Sequence, residues 1–337
     1  MKRITTILLI VLAIVGFQEG CAQSTSDGLL LGLRTIEANN NYSVRYRTFW
    51  ITKQDDSVRI IEAAQNYLLV PYHGTLFKVG VKRSRYNAWT EDFLWAIRPS
   101  EGLPFIKGID KTVGEQDFGH EVMRIDFVND KFLSVDKSHL LADTQINDHQ
   151  ELAAIDFKSV IYPKDSSSTT KNVGIFALLD EKAAGILLKG FDPEHYNATY
   201  GIIRHNGRWT VKRRLDPKGT RGYNFKDSVF TFVPESVAGR QQVPNALDQI
   251  TSYMPNAIDA FGAPQGKMLI AITDSSIEAL SIANRKLQRL GSVRLPLPVV
   301  AVMAEWATGQ EVILWENQVH DILQARETKG AYASPFD

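Results

Sequence analysis

The most distinctive local feature of the chain is Arg208 to Arg221 (RWTVKRRLDPKGTR), which carries Arg208, Lys212, Arg213, Arg214, Lys218 and Arg221. On a strand, alternate side chains share a face. Trp209, Val211, Arg213 and Leu215 would then form an apolar face holding one Arg, and Arg208, Thr210, Lys212 and Arg214 a basic stripe. The three cations would stand about 6.5–7 Å apart, set by a rise near 3.3 Å per residue. Such a row suits a carboxylate, a phosphate or a polyanionic glycan. The plain alternative is a solvated strand face beside a core face. If the stripe faces solvent, Lys212→Glu with Arg214→Glu should leave folding within about 0.5 kcal/mol of the parent. If Asp or Glu side chains from neighbouring strands pair with all three, the stripe is structural. Lys78, Lys82, Arg83 and Arg85 form a second basic cluster.

Other chemistries fail on residue type or spacing. Gly262 to Lys267 (GAPQGK) has the look of a phosphate loop, but three residues separate its glycines, and Met268 stands where Ser or Thr should meet magnesium. No G-x-S-x-G occurs, which excludes the nucleophile elbow of α/β-hydrolases. His120-Glu121 is followed by Val122-Met123-Arg124 and lacks the second His of a zinc helix. The stretch that holds Asp110, Glu115, Asp117, His120 and Glu121 offers carboxylate oxygens that could ligate calcium, as does that with Asp143, Gln145 and Asn147. Asp148 and Ala154 break the second pattern where Gly and Glu belong, and both stretches read as solvated loops. Among 38 acidic residues no pair stands out for glycoside hydrolysis, and seven His residues lack ligand spacing. Catalytic residues therefore stay unknown, and neither metal nor cofactor is expected.

The single cysteine, Cys21, excludes a disulfide scaffold and a thiolate zinc site. It lies at the end of a leader-like segment: Lys2 and Arg3, an apolar run from Ile4 to Phe17, then Gln18 to Gln23. This is the pattern of a secretory signal peptide covering residues 1–22, and the apolar run is shorter than the roughly 20 residues of a spanning helix. Gly20-Cys21-Ala22 permits cleavage before Gln23. Gly20-Cys21 also resembles the end of a bacterial lipobox, in which Cys21 would carry lipid. Gln18 and Glu19 depart from that pattern and favour simple cleavage. The chain is thus expected to be exported, periplasmic or extracellular, with membrane attachment only through such a lipid. Its 38 basic and 38 acidic residues balance, which argues against nucleic acid as a partner.

The elements that must position these residues read as strands. Runs rich in β-branched and aromatic residues recur between turn residues: Ser43 to Thr52, Val58 to Ile61, Tyr67 to Val70, Leu76 to Val81, Phe93 to Ile97, Val122 to Val128 and Lys131 to Val135. They continue in Ala153 to Tyr162, Val173 to Leu179, Ala184 to Leu188, Tyr200 to Arg204, Arg208 to Leu215, Ser228 to Val233, Met268 to Thr273, Val299 to Trp306 and Glu311 to Trp315. Asn129-Asp130, Asn206-Gly207 and Thr308-Gly309 suit hairpin turns. Pro244 to Met254 reads as a helix, and Ser275 to Leu290 favours two strands over a helix. Lys164 to Asn172 has no apolar residue and reads as a surface loop.

The spacing predicts an all-β chain, a six- or seven-bladed β-propeller, with two β-sandwich-like domains as the alternative. Residues 23–27 form a tether, 28–318 a single domain and 319–337 a C-terminal tail. Through Tyr46 to Val81 and Pro255 to Trp315, the chain resembles uncharacterised exported bacterial proteins of β-propeller type. That resemblance implies an architecture and no activity. A cell-envelope binding module is the expected function, with an anionic glycan or an envelope protein as partner. The alternative is a glycan-directed hydrolase using carboxylates in a propeller channel.

Overall fold

The computed structural model describes residues 27–36, 44–54, 57–86, 89–101, 119–141, 147–161, 174–179, 181–218, 225–232, 246–266, 268–283, 286–296 and 298–330. The leader, most of the tether, the loop at 164–172, and Asp110, Glu115, Asp117, Asp143 and Gln145 lie outside these residues, whereas His120, Glu121, Asn147 and Asp148 lie in strands rather than in solvated loops.

The described chain is mostly strand and forms four sheets in a propeller-like arrangement. Sheet 1 joins β1 (Asp27–Ile36), β2 (Val44–Gln54) and β3 (Ser57–Gln65) to the last strand, β17 (Val299–Thr308), in the order β17-β1-β2-β3. Sheet 2 runs in order through β4 (Leu68–Tyr72), β5 (Thr75–Tyr86), β6 (Trp89–Ile97), β7 (Gly119–Val128), β8 (Phe132–Leu141) and β9 (Asn147–Asp156). Sheet 3 holds β10 (Tyr196–His205), β11 (Arg208–Pro217) and β12 (Lys226–Val229); sheet 4 holds β13 (Ala257–Gly262), β14 (Leu269–Thr273), β15 (Ser276–Ala283) and β16 (Lys286–Arg294). Every pairing is antiparallel except that of β6 with β7, which touch in parallel at Thr90 with His120 and Glu91 with Glu121. Sheet 2 is therefore two meanders joined at one corner.

Sheet 1 explains why β1 reads DGLLLGLRTI without polar alternation. Leu29, Leu31 and Leu33 enter one core with Phe49, Ile51, Trp209 and Ile270, while Leu30, Tyr46 and Trp50 enter a second with Leu69, Ile125 and Val135. A strand buried on both faces needs apolar side chains at consecutive positions. Gly28 lets the Trp50 indole lie on the backbone, since a Cβ there would overlap the ring. Pairing of β1 with β17 brings the two ends of the described strands together, Asp27 opposite Thr308.

Several expected strands are helices. Ala153 to Tyr162 splits into the end of β9 and α1 (Phe157–Ile161). Within Val173 to Leu179 lies a short 3₁₀ turn (Ile175–Leu178), and Ala184 to Leu188 belongs to α2 (Glu181–Leu188). Glu311 to Trp315 begins α4 (Gln310–Gly330), whose Val312, Trp315, Val319 and Ile322 are buried at helical spacing. A window ending at Trp315 could not reveal that period. The Thr308-Gly309 turn consequently leads into a helix, with Gly309 at φ 58°. Val319 and Ile322 of α4 pack into the second core. The expected helix at Pro244 to Met254 is present as α3 (Ala246–Thr251), and Ser275 to Leu290 supplies strands β15 and β16.

Candidate functional site

On β11 the alternation is as read. Trp209, Val211 and Leu215 are buried, and the Trp209 ring meets Phe127 edge-on at 4.7 Å between centroids. The lone cation on that face, Arg213, is buried too; its Nη1 donates to the Leu187 carbonyl at 3.0 Å. Beside it the Arg204 guanidinium of β10 lies 5.0 Å over Trp209 and 4.2 Å over Phe261, and its Nη2 donates to Asp259 of β13 at 2.7 Å. Sheets 3 and 4 are joined there by a buried ion pair held between aromatic rings.

The basic stripe is not a solvent-facing row of unbalanced charge. Arg208 pairs with Asp248 of α3 at 2.9 Å, and Lys212 with Asp227 of β12 at 2.6 Å. Arg214, only 5% exposed, lies between Asp227 at 2.9 Å and Asp136 of β8 at 2.8 Å. The series continues: Asp136 accepts from Arg124 at 2.7 Å, Arg124 reaches Asp126 at 3.3 Å, and Asp126 pairs with Arg34 of β1. Cations and carboxylates thus alternate from Lys212 to Arg34 across sheets 3, 2 and 1. Burial alone would lower Arg214's pKa, but bonds to Asp227 and the Asp136 charge raise it well above the usual guanidinium range. Burial would likewise raise the Asp227 carboxyl, and the bonds from Arg214 and Lys212 hold it below its ordinary value. Tyr46 accepts from the Ile125 amide at 2.8 Å at the end of the series, and burial pushes its hydroxyl well above the ordinary tyrosine value.

Two expectations change with this geometry. Lys212→Glu with Arg214→Glu would set new carboxylates against Asp227 and Asp136, so it cannot be neutral to folding. In the second basic cluster too there are partners at hand: Arg83 bonds Asp92 at 2.8 Å, and Lys78 donates to the Pro99 carbonyl at 2.7 Å.

An open polar array lies on sheet 4. Its outer face is divided in two: Ala260, Leu269, Ala271 and Leu280 pack under Ala246 and Ile250 of α3, and the remainder is uncovered by that helix. The uncovered part is a concavity lined by Ser275, Ser276, Glu278, Arg289, Ser292, Arg294 and Leu295. Cross-strand register accounts for it, since Ser276 lies opposite Arg294 and Glu278 opposite Ser292. A β-bulge at Ala279/Leu280 shifts β16 by one residue and sets Arg289 opposite Leu280. Arg289 thereby joins the Glu278 face, from which plain alternation would exclude it. Its Nε lies 2.6 Å from Glu278 Oε2, and the Ser276 hydroxyl donates to Glu278 Oε1 at 2.6 Å. Arg294 is exposed and has no ion-pair partner among the described residues. The array offers hydroxyls, one bound carboxylate and a guanidinium left to meet an anion.

A third feature is Glu305, on β17, the strand that packs on β7 and β10. It lies opposite Leu30, which lies opposite Trp50, so the half-buried carboxyl stands on an apolar face. Burial, then the Asp130 charge in the β7–β8 turn, pushes it up to about 8, against the opposing pull of Lys131. The sequence gives no hint of Glu305 or of the sheet 4 array, because both depend on register. Among the described residues no group of acidic, His or Cys side chains could hold a metal.

No family model matches the chain, and no curated protein does either. A crystal structure of a functionally unknown protein from Desulfotomaculum acetoxidans DSM 771 aligns over 80% of this chain and 81% of its own, at 9% identity and a TM-score of 0.21. A likeness that slight carries no argument about function.

Proposed function

We propose that this chain is an exported binding module and that the uncovered polar part of sheet 4 is its ligand surface, fitted to an acidic glycan. What carries the reading is the composition of the concavity: Arg294 without an ion-pair partner among the described residues, beside Ser275, Ser276 and Ser292 hydroxyls and the Glu278–Arg289 pair. A guanidinium suits a uronate-type carboxylate, and hydroxyls with a bound carboxylate suit sugar hydroxyls. The chain's zero formal charge means that attraction would be local to Arg294 and Arg289 and weakened by salt. The test is calorimetric titration with oligogalacturonate and its neutral reduced counterpart. The acidic oligosaccharide should bind and the neutral one should not. Arg294→Glu should abolish binding while changing stability by under about 0.5 kcal/mol. Equal binding of both sugars, or full binding by Arg294→Glu, would refute the assignment.

One observation favours glycoside hydrolysis as a second reading. Glu305, held protonated at neutral pH and near Asp130, has the protonation state of a general acid. Release of reducing ends from glycans, lost in Glu305→Gln, would support it, and the absence of any release would remove it.

A further inference from the structure

The core face of sheet 3 carries a polar row of its own. Cross-strand register sets Tyr200 of β10 opposite Arg213 of β11, and Arg213 opposite Ser228 of β12. A phenol, a guanidinium and a hydroxyl therefore share one face. Asp227 is next to Ser228 in the chain but points the other way, to Arg214 and Lys212. Arg213 is left with no carboxylate among the described residues, although it is only 9% exposed. Its Nη1 is taken by the Leu187 carbonyl at the end of α2, its Nε is buried without a partner, and the guanidinium lies 5.3 Å over the Phe230 ring. One carbonyl and one ring do not balance a buried cation, which needs an anion.

Tyr200 is in the same position. It is 8% exposed, and its hydroxyl has no well-formed hydrogen bond, even to the Arg213 it faces. Burial raises that hydroxyl above the ordinary tyrosine value, against the pull of the Arg213 charge, so at neutral pH it is a donor. Two adjacent buried donors without acceptors point to an acceptor supplied from outside. The row comes near the surface on both sides. Ser228 is half-buried on the edge strand β12, and Phe176 of the 3₁₀ turn, 5.1 Å from the Tyr200 ring, is 38% exposed. One guanidinium beside two neutral hydroxyls has a single charge to balance. That suits a carboxylate better than a phosphate, which carries close to two charges at pH 7. Phe176 beside Tyr200, and Phe230 beside Arg213, offer rings to an apolar body.

We infer that Tyr200, Arg213 and Ser228 bind a monoanionic organic carboxylate with an aryl or alkyl body. The carboxylate takes the Nε side of Arg213 and the Tyr200 hydroxyl, and the body lies against Phe176 and Phe230. This site is on a different sheet from the concavity at Arg294 and does not depend on it. Benzoate is the probe, with benzamide as its neutral counterpart of similar shape, in calorimetric titration of the whole chain. Benzoate should bind, and benzamide should bind at least about tenfold more weakly, as loss of a charge-assisted hydrogen bond predicts. Tyr200→Phe, which removes only the hydroxyl, should weaken benzoate about fivefold, the worth of one neutral hydrogen bond. Arg213→Gln should abolish binding. If that variant fails to fold, Tyr200→Phe with an unchanged melting transition decides in its place. Inorganic phosphate should not displace benzoate, and neither should oligogalacturonate. No binding of benzoate, equal binding of benzamide, or undiminished affinity in Tyr200→Phe would overturn the inference. Displacement by phosphate would overturn the carboxylate assignment, and displacement by oligogalacturonate would move benzoate to sheet 4 and overturn the site.

Discussion

The charge series of sheets 1 to 3 and the polar array of sheet 4 are built alike and end differently. Both place Arg, Lys, Asp, Glu and Ser at alternate positions of antiparallel strands, and both bring side chains from several strands onto one face. In the first, neighbouring sheets pack over the charges, so each cation meets a carboxylate, and Arg124 and Arg214 each meet two. In the second, α3 covers only part of the face, and Arg294 is left without an ion-pair partner among the described residues. A cluster of basic residues in the sequence thus became internal structure, while a sparse one became an accessible surface. What separates them is the covering layer, since a buried charge must be paired and an exposed one need not be.

The largest effect expected is at the middle of the closed series. Asp136 accepts from both Arg124 and Arg214, and its carboxylate is only about 5% exposed. Asp136→Ala would leave two guanidinium groups facing each other without their shared anion. Breaking a buried pair costs about 3–5 kcal/mol, enough to unfold many domains. Chemical denaturation of the purified variant should show that loss, or the variant should fail to accumulate. Arg294→Glu on sheet 4 should leave the denaturation midpoint nearly unchanged. Similar losses at the two positions would erase the distinction between the arrays.

Glu305 comes next and has the opposite sign. Its folded-state value near 8 lies above the usual value of 4.5. The folded chain therefore holds a proton that the unfolded chain has released between those values, and stability falls as pH rises through that window. At pH 4 both states are protonated and Glu305→Gln should be neutral. By pH 8 it should stabilise by about 1–3 kcal/mol, since one pKa unit corresponds to about 1.4 kcal/mol and the group is partly hydrated. Melting curves of parent and variant at pH 4, 6 and 8 would check it. A difference independent of pH would mean that Glu305 is ionised in the fold.

How far the sequence could be read follows the same division. Most strand runs, the Asn129-Asp130 and Asn206-Gly207 turns, and the buried Trp209 and Val211 come from local pattern and are present. Helices α1, α2 and α4 were hidden because EVILW and AAGILL are apolar enough to pass for strands when read over five or six residues. Only the buried Val319 and Ile322 disclose the period of α4. Partners 78 residues apart, such as Arg214 and Asp136, cannot be paired without the fold. Arg289 was illegible for a finer reason: one bulge residue moved it to the other face.

The smallest effect tests the boundary between the two kinds of array. Arg208 and Asp248 pair at 2.9 Å, but their side chains are 47% and 63% exposed, so this end of the basic stripe is wet. It joins the β10–β11 turn to α3, and the turn itself is crowded: Gly207 sits at φ 72° with the Leu247 side chain over its Cα. Packing therefore holds the junction, and the ion pair adds little. Exposed pairs contribute about 0.2–1 kcal/mol. A double-mutant cycle with Arg208→Ala and Asp248→Ala should give a coupling in that range. In 1 M salt, where screening falls to about 3 Å, the coupling should vanish. Asp248→Ala should cost slightly more than Arg208→Ala, because Asp248 lies in the first turn of α3 and interacts with the amide dipoles there. A coupling above about 2 kcal/mol that survives salt would assign Arg208 to the buried series, beside Arg214.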